Sequence, residues 1–200
     1  MNVYRSGAAF RRALEERLRS RSLDAGVPLV RLRKTVAFDC ILARLIQLQP
    51  DRWILKGGFA IQLRLEDKAR TTKDIDLLAL ADSSEVLVLL RIVGEFDLED
   101  WFRFEVEQSE DQAFDKLGGS RIHIRSLLDG RTFEDFHIDV GIGDPVIDPV
   151  DPLRGPHSWI SLASSLQLSP VIQSPSKSLK KFVPTLDLTP RARVHASRIS

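Results

Sequence analysis

Several things are scarce in this 200-residue chain, and each scarcity excludes something. It has one cysteine, so no internal disulfide can form, and Cys40 falls within an apolar helical pattern where a reduced core thiol is expected. Its formal net charge is only +1, so no global field draws it to nucleic acid or acidic lipid, and any basic surface must be local. No apolar run approaches the roughly 18 residues of a membrane span. The opening "MNVYRSGAAFRRALEERL" lacks an apolar segment of the secretory kind. A soluble, cytoplasmic protein with no membrane partner is expected. Glycine is sparse too, at 11 residues, which makes the adjacent pair Gly57-Gly58 conspicuous.

What is present suffices for a folded domain. A 43% hydrophobic fraction supplies a core, and 28% charged residues supply a polar surface. "AAFRRALEERLRSRS" places Phe10, Leu14 and Leu18 at helical spacing. After a break at Gly26 and Pro28, Leu29 to Leu48 predicts a longer helix, apolar on two sides and therefore buried between other elements. "RWIL" predicts a strand, "FAIQLRL" a helix, "DIDLLAL" a strand and "SSEVLVLLRIVGEF" a helix. "WFRFEVEQ" follows as a strand, and then "RIHIRSLL" and "FHIDVGIG" alternate as a strand pair separated by "DGRTFED". This order predicts an α/β (α+β) fold with a mixed sheet packed against helices. Residues 1–150 form the expected core. Residues 151–200, rich in Ser and Pro and without sustained period, form an expected irregular tail.

The candidate chemistry begins with Asp74 and Asp76. At i and i+2 on a strand they leave the same face, about 7 Å apart at Cα, where two carboxylates repel unless a cation joins them. Hard oxygens of this kind suit Mg²⁺ or Mn²⁺. An aspartate pair facing water is the plainer reading of D-x-D taken alone. Asp139 in "FHIDVGIGD" offers a third carboxylate, and such a cluster can hold two metals about 3.5–4 Å apart for phosphoryl transfer. Asp144, before Pro145, is expected in a turn. Between strand and helix, Gly57 and Gly58 let the backbone approach a phosphate at a helix N-terminus. Lys56, Arg70, Thr71, Thr72 and Lys73 could orient triphosphate oxygens or simply be solvated. His123 and His137 lack zinc-ligand spacing, and strand-pair or surface roles are expected of them. Arg11, Arg12, Arg17, Arg19, Arg21, Arg31, Arg33 and Lys34 make the first helices basic, which fits either a solvated face or an RNA-facing surface.

"LKGGFAIQLRL…ARTTKDIDLL" followed by "FHIDVGIGD" resembles the AbiEii-type toxin nucleotidyltransferases, within the DNA polymerase β-like superfamily, from about residue 5 to about residue 150. The resemblance implies a polymerase β-like nucleotidyltransferase core. It implies that Gly57 and Gly58 form a phosphate-binding turn and that Asp74, Asp76 and Asp139 are catalytic and metal-binding; Lys56, Arg70, Thr72 and Lys73 are the nucleotide-binding candidates read from the sequence beside them. It further implies Mg²⁺ or Mn²⁺ as cofactor and an NTP as substrate. RNA is the implied acceptor, at the end of a tRNA, with a cognate antitoxin as partner in abortive infection or stress responses.

One part of the family pattern is missing from the chain: a later helix with "AEK" and an "SRxKD" motif. Yet "LKKFVPTLDL" can be encoded so that a register one base earlier gives "EKVRAYTRP", and the last residues likewise give "SRVKDL". A frameshift near residues 150 to 160 is therefore expected. The alternatives are a catalytically impaired remnant that binds nucleotide or antitoxin, and a nucleic-acid-binding module.

Overall fold

The structure is a computed structural model and describes residues 4–65, 72–80, 83–107, 119–143, 150–154 and 171–175. Arg70, Thr71 and Asp144 lie outside the described residues, as does most of the chain beyond residue 154.

The chain starts with helix α1 (Gly7–Ala25), capped where the Ser6 Oγ accepts the Ala9 N–H at 3.2 Å and ended by Gly26 at φ +64°. Phe10, Leu14 and Leu18 form its buried stripe. Helix α2 (Leu29–Leu48) follows Pro28 and is buried continuously from Val36 to Leu45, as its two-sided apolar pattern predicts. Next come β1 (Trp53–Lys56), α3 (Gly57–Leu65), β2 (Ile75–Ala79), α4 (Ser83–Glu95) and β3 (Phe102–Glu107). Strands β4 (Gly119–Leu128) and β5 (Arg131–Ile142) form a long hairpin.

That hairpin turns on Asp129-Gly130, both at positive φ (54° and 70°), the two-residue turn that matches strand twist. The expected separator "DGRTFED" is therefore mostly strand. Its pattern is disguised because the register shifts near Ser126, leaving Phe133 between the pairs Leu127–Thr132 and Ser126–Glu134. This bulge sends both Phe133 and Phe136 into the core, which breaks the simple alternation. Ser126 Oγ secures it by donating to the Glu134 carbonyl at 2.7 Å and accepting the Glu134 N–H at 3.0 Å.

Two short strands, β6 (Val150–Arg154) and β7 (Val171–Pro175), come from the segment that the sequence pattern leaves irregular. Each holds a proline, Pro152 and Pro175, and β6 is an edge strand, where a missing N–H is tolerated. The seven strands run β3-β4-β5-β2-β1-β7-β6. Strands β2 and β5, and β1 and β7, pair in parallel and the rest antiparallel, giving the expected mixed sheet.

One face of this sheet meets the helices through Leu55, Ile75, Leu77, Ile122, Ile124, Ile138 and Val140. Cys40 is buried in the same core, and burial pushes its thiol up. Arg44, fully buried, pairs with Asp100 at 2.5 Å and donates to the carbonyls of Cys40, Phe96 and Phe102, joining α2 to the chain between α4 and β3. No described helix is long and apolar enough to cross a membrane.

Candidate active site

On the sheet's other face, the strand register aligns four charged residues. Lys56 on β1 pairs with Asp76 on β2, Asp76 with Asp139 on β5, and Asp139 with Arg121 on β4. Directly paired residues project from the same face, so Lys56, Asp76, Asp139 and Arg121 form one row across four strands. The two carboxylates lie between two cations. Asp76 and Asp139, far apart in sequence, are thus adjacent in space through the parallel β2–β5 pairing.

Asp74 sits one residue before β2 and joins the row from its end. Arg121 Nη2 donates to Asp74 Oδ2 at 2.9 Å, and Nη1 to Asp139 Oδ2 at 3.2 Å. His137 Nδ1 lies 3.5 Å from Asp74 Oδ1, and its ring packs against that of its cross-strand partner His123, with centroids 5.4 Å apart. The histidines thus have the strand-pair role expected of them, with His137 also beside the acids. The carboxyl of Asp139 is raised above the ordinary range, chiefly because burial strips it of water. Arg121 pulls it down, the neighbouring Asp74 and Asp76 push it up, and His137 pulls it down.

The glycine pair occupies the strand-to-helix junction, as the first two residues of α3. Gly57 has φ +64°, and a Cβ there would overlap the Asp76 carboxylate. A Cβ on Gly58 would lie 2.9 Å from the Thr72 Oγ1, which itself donates to the Asp74 carbonyl at 3.1 Å. The glycines therefore make room for the Asp76 carboxylate and for Thr72 at the start of α3. Lys73 is exposed beside Asp74.

The donor set has the hard oxygens a divalent cation prefers: the carboxylates of Asp74, Asp76 and Asp139 gather on one side of the sheet, joined by register and by Arg121. Among the described residues, no three acidic, His or Cys side chains converge in a ready-made cage. Arg121 lies against two of the three acids. Sequence pattern misses Arg121 because only the β4–β5 register reveals it. Its sole local signal is the alternation of Arg121, His123 and Arg125 on the polar face of β4.

The basic residues of the first helices divide. Arg11 donates to the carbonyls of Leu128, Arg131 and Thr132, Arg33 binds Glu15 at 2.7 and 2.6 Å, and Lys34 binds Glu134 at 3.3 Å. These three hold the fold together.

The family model for the nucleotidyl transferase AbiEii toxin of type IV toxin–antitoxin systems matches residues 40–169. The chain belongs to the AbiEii family. The AbiEii match takes in the glycine pair, all three aspartates and Arg121. Among solved structures, MenT4, a nucleotidyltransferase toxin from Mycobacterium tuberculosis H37Rv, aligns with a TM-score of 0.61 at 18% identity. The alignment covers 82% of this chain and 55% of MenT4, so the AbiEii chain spans about half the length of that protein. At that identity the likeness is one of fold, and it supports the nucleotidyltransferase architecture. No curated protein matches the chain.

Proposed function

We propose that the chain transfers a nucleotidyl group from an NTP to a hydroxyl of RNA, with the acceptor end of tRNA as the expected target, in a reaction dependent on a divalent cation. The row Lys56–Asp76–Asp139–Arg121, beside the Gly57-Gly58 start of α3, is the observation that carries this reading. Asp74, Asp76 and Asp139 would hold Mg²⁺ or Mn²⁺, which when bound would supply charge neutralisation at the phosphates.

The chain's own groups account for the rest. Backbone N–H groups at the start of α3 would receive triphosphate oxygens. Lys56 stands at the end of the row nearest that turn, and Thr72 and Lys73 border it. Asp139 would accept the proton of the attacking hydroxyl. The oxygen–Pα bond forms, the bond from Pα to the bridging oxygen breaks, and pyrophosphate leaves. Catalysis of this type consists mainly of positioning and charge stabilisation. Membership of a type IV toxin–antitoxin family supports a cognate antitoxin as partner.

Incubation with tRNA, Mg²⁺ and labelled NTPs tests the proposal. Label should enter RNA with the unaltered chain and not with Asp76→Ala. Nucleotide binding without transfer would instead support a remnant. Salt-sensitive RNA binding that survives loss of both Asp74 and Asp76, without transfer, would favour a binding module, although Arg11, Arg33 and Lys34 are already engaged within the fold.

A further inference from the structure

Arg121 does not grip one carboxylate with both nitrogens. It spreads them, one to Asp74 at 2.9 Å and one to Asp139 at 3.2 Å. Its side chain is 42% exposed, so it is not a core strut like Arg44. A guanidinium stays charged at every working pH, so these acids can be freed only by displacement and not by deprotonation. Each oxygen it occupies is also one that a divalent cation could use. Its strand position opposite Asp139 keeps it at the edge of the cluster even when the side chain turns away.

We propose that Arg121 is the resident counterion of this acid cluster. It neutralises Asp74 and Asp139 while no divalent cation is bound, is displaced when one enters, and then pairs with phosphate oxygens of the incoming NTP. The inference rests on the site reading given under Proposed function and adds a coupling to it. A cation arriving alone must break two charge-assisted hydrogen bonds and leave Arg121 facing a second positive charge. A cation arriving with a polyanionic nucleotide gives Arg121 a new partner. Cation and NTP therefore strengthen each other's binding, and by linkage the effect is mutual.

The test measures Mn²⁺ binding to the full chain by electron paramagnetic resonance and calorimetry. Titrations are run without nucleotide and then with each α,β-methylene ribonucleoside triphosphate analogue, which cannot be turned over. Arg121→Gln should bind Mn²⁺ alone about three- to tenfold more tightly, the range set by two part-exposed ion pairs. It should bind the analogue, at saturating Mn²⁺, more weakly by a similar factor, so that the coupling shrinks. Arg121→Lys, which keeps the charge but cannot span both acids, should bind Mn²⁺ alone with intermediate affinity and retain most affinity for the analogue. That variant also carries the test if Arg121→Gln does not fold. Unchanged Mn²⁺ affinity in both variants, or a parallel loss for metal and analogue, overturns the proposal.

Asp76→Asn, which alters an acid Arg121 does not touch, separates the two levels. If Asp76→Asn abolishes Mn²⁺ binding while the Arg121 variants change nothing, the counterion role is wrong and the site reading stands. If Asp76→Asn binds Mn²⁺ as the unaltered chain does, the site reading fails, and the counterion role with it.

Discussion

Gly57 and Asp76 share one space: the position of a Cβ on the glycine is taken by the carboxylate of the aspartate. The glycine turn and the D-x-D strand are therefore one device, assembled by the Lys56–Asp76 pairing of β1 with β2. Gly57→Ala should lose about 1–2 kcal/mol of stability from the left-handed backbone alone. The displaced carboxylate should lower transfer on the order of 100-fold, the usual consequence of moving a reacting group by about an ångström. Thermal unfolding and the labelled-NTP assay check both halves, and transfer unaffected by the substitution would show that the two residues are independent.

Asp39 lies within α2, 2% exposed, with its Oδ2 lacking a hydrogen-bond partner. Burial raises its carboxyl well above the ordinary range. A carboxyl raised on folding favours the folded state most at pH below the unfolded value of about 3.9. That contribution is lost as pH rises through the folded value, because the buried group must then ionise or hold its proton against solution. Asp39→Asn should be more stable than the unaltered chain at pH 8. The gain should grow from pH 4 upwards by at most about 1.4 kcal/mol per pH unit, the slope set by one proton. Urea denaturation across that interval decides it, and a gain independent of pH would assign the effect to packing.

Arg44 and Asp100 form a pair whose side chains are 0% and 8% exposed. Arg44→Met would leave Asp100 buried without its cation, and should cost about 3–5 kcal/mol. Arg44→Met combined with Asp100→Leu should recover much of that loss, because removing both charges leaves none uncompensated. Chemical denaturation of the single and double variants makes the comparison. A single-variant loss below about 1 kcal/mol would contradict it.

The family match continues in frame to residue 169, past the expected break near residues 150 to 160, and we propose a change of reading frame beyond that match. Sequencing the gene should reveal a single-base shift that restores a long helical continuation carrying both missing motifs. The restored chain should then exceed this one in the labelled-NTP assay. If no single-base shift yields such a continuation, the proposal is wrong.

The elements legible in the sequence are those whose signals are local. Helix α2 has the expected bounds because Pro28 and Pro50 frame an apolar run on two faces. The β1–α3–β2 unit is visible from Gly57-Gly58 and D-x-D, and the family resemblance drawn from it agrees with the match over residues 40–169. What stays hidden depends on pairing between distant segments. The start of β5 is obscured by a bulge, and β6 and β7 by their shortness and prolines. The adjacency of Asp139 to Asp76, and the whole presence of Arg121, follow from register, to which periodicity along one strand is blind.

The parallel alignment of β2 with β5 also has a consequence in time. Asp76 and Asp139 come from segments separated by α4, β3 and β4, so their pairing closes a long loop, whereas the β4–β5 hairpin closes a short one. On the ribosome, where amino-terminal segments emerge first, the glycine turn and the first two aspartates leave the exit tunnel with no third acid to meet. The acid cluster cannot exist until most of the sheet has been synthesised and threaded together, so a nascent chain carries the front of this site in an inert state.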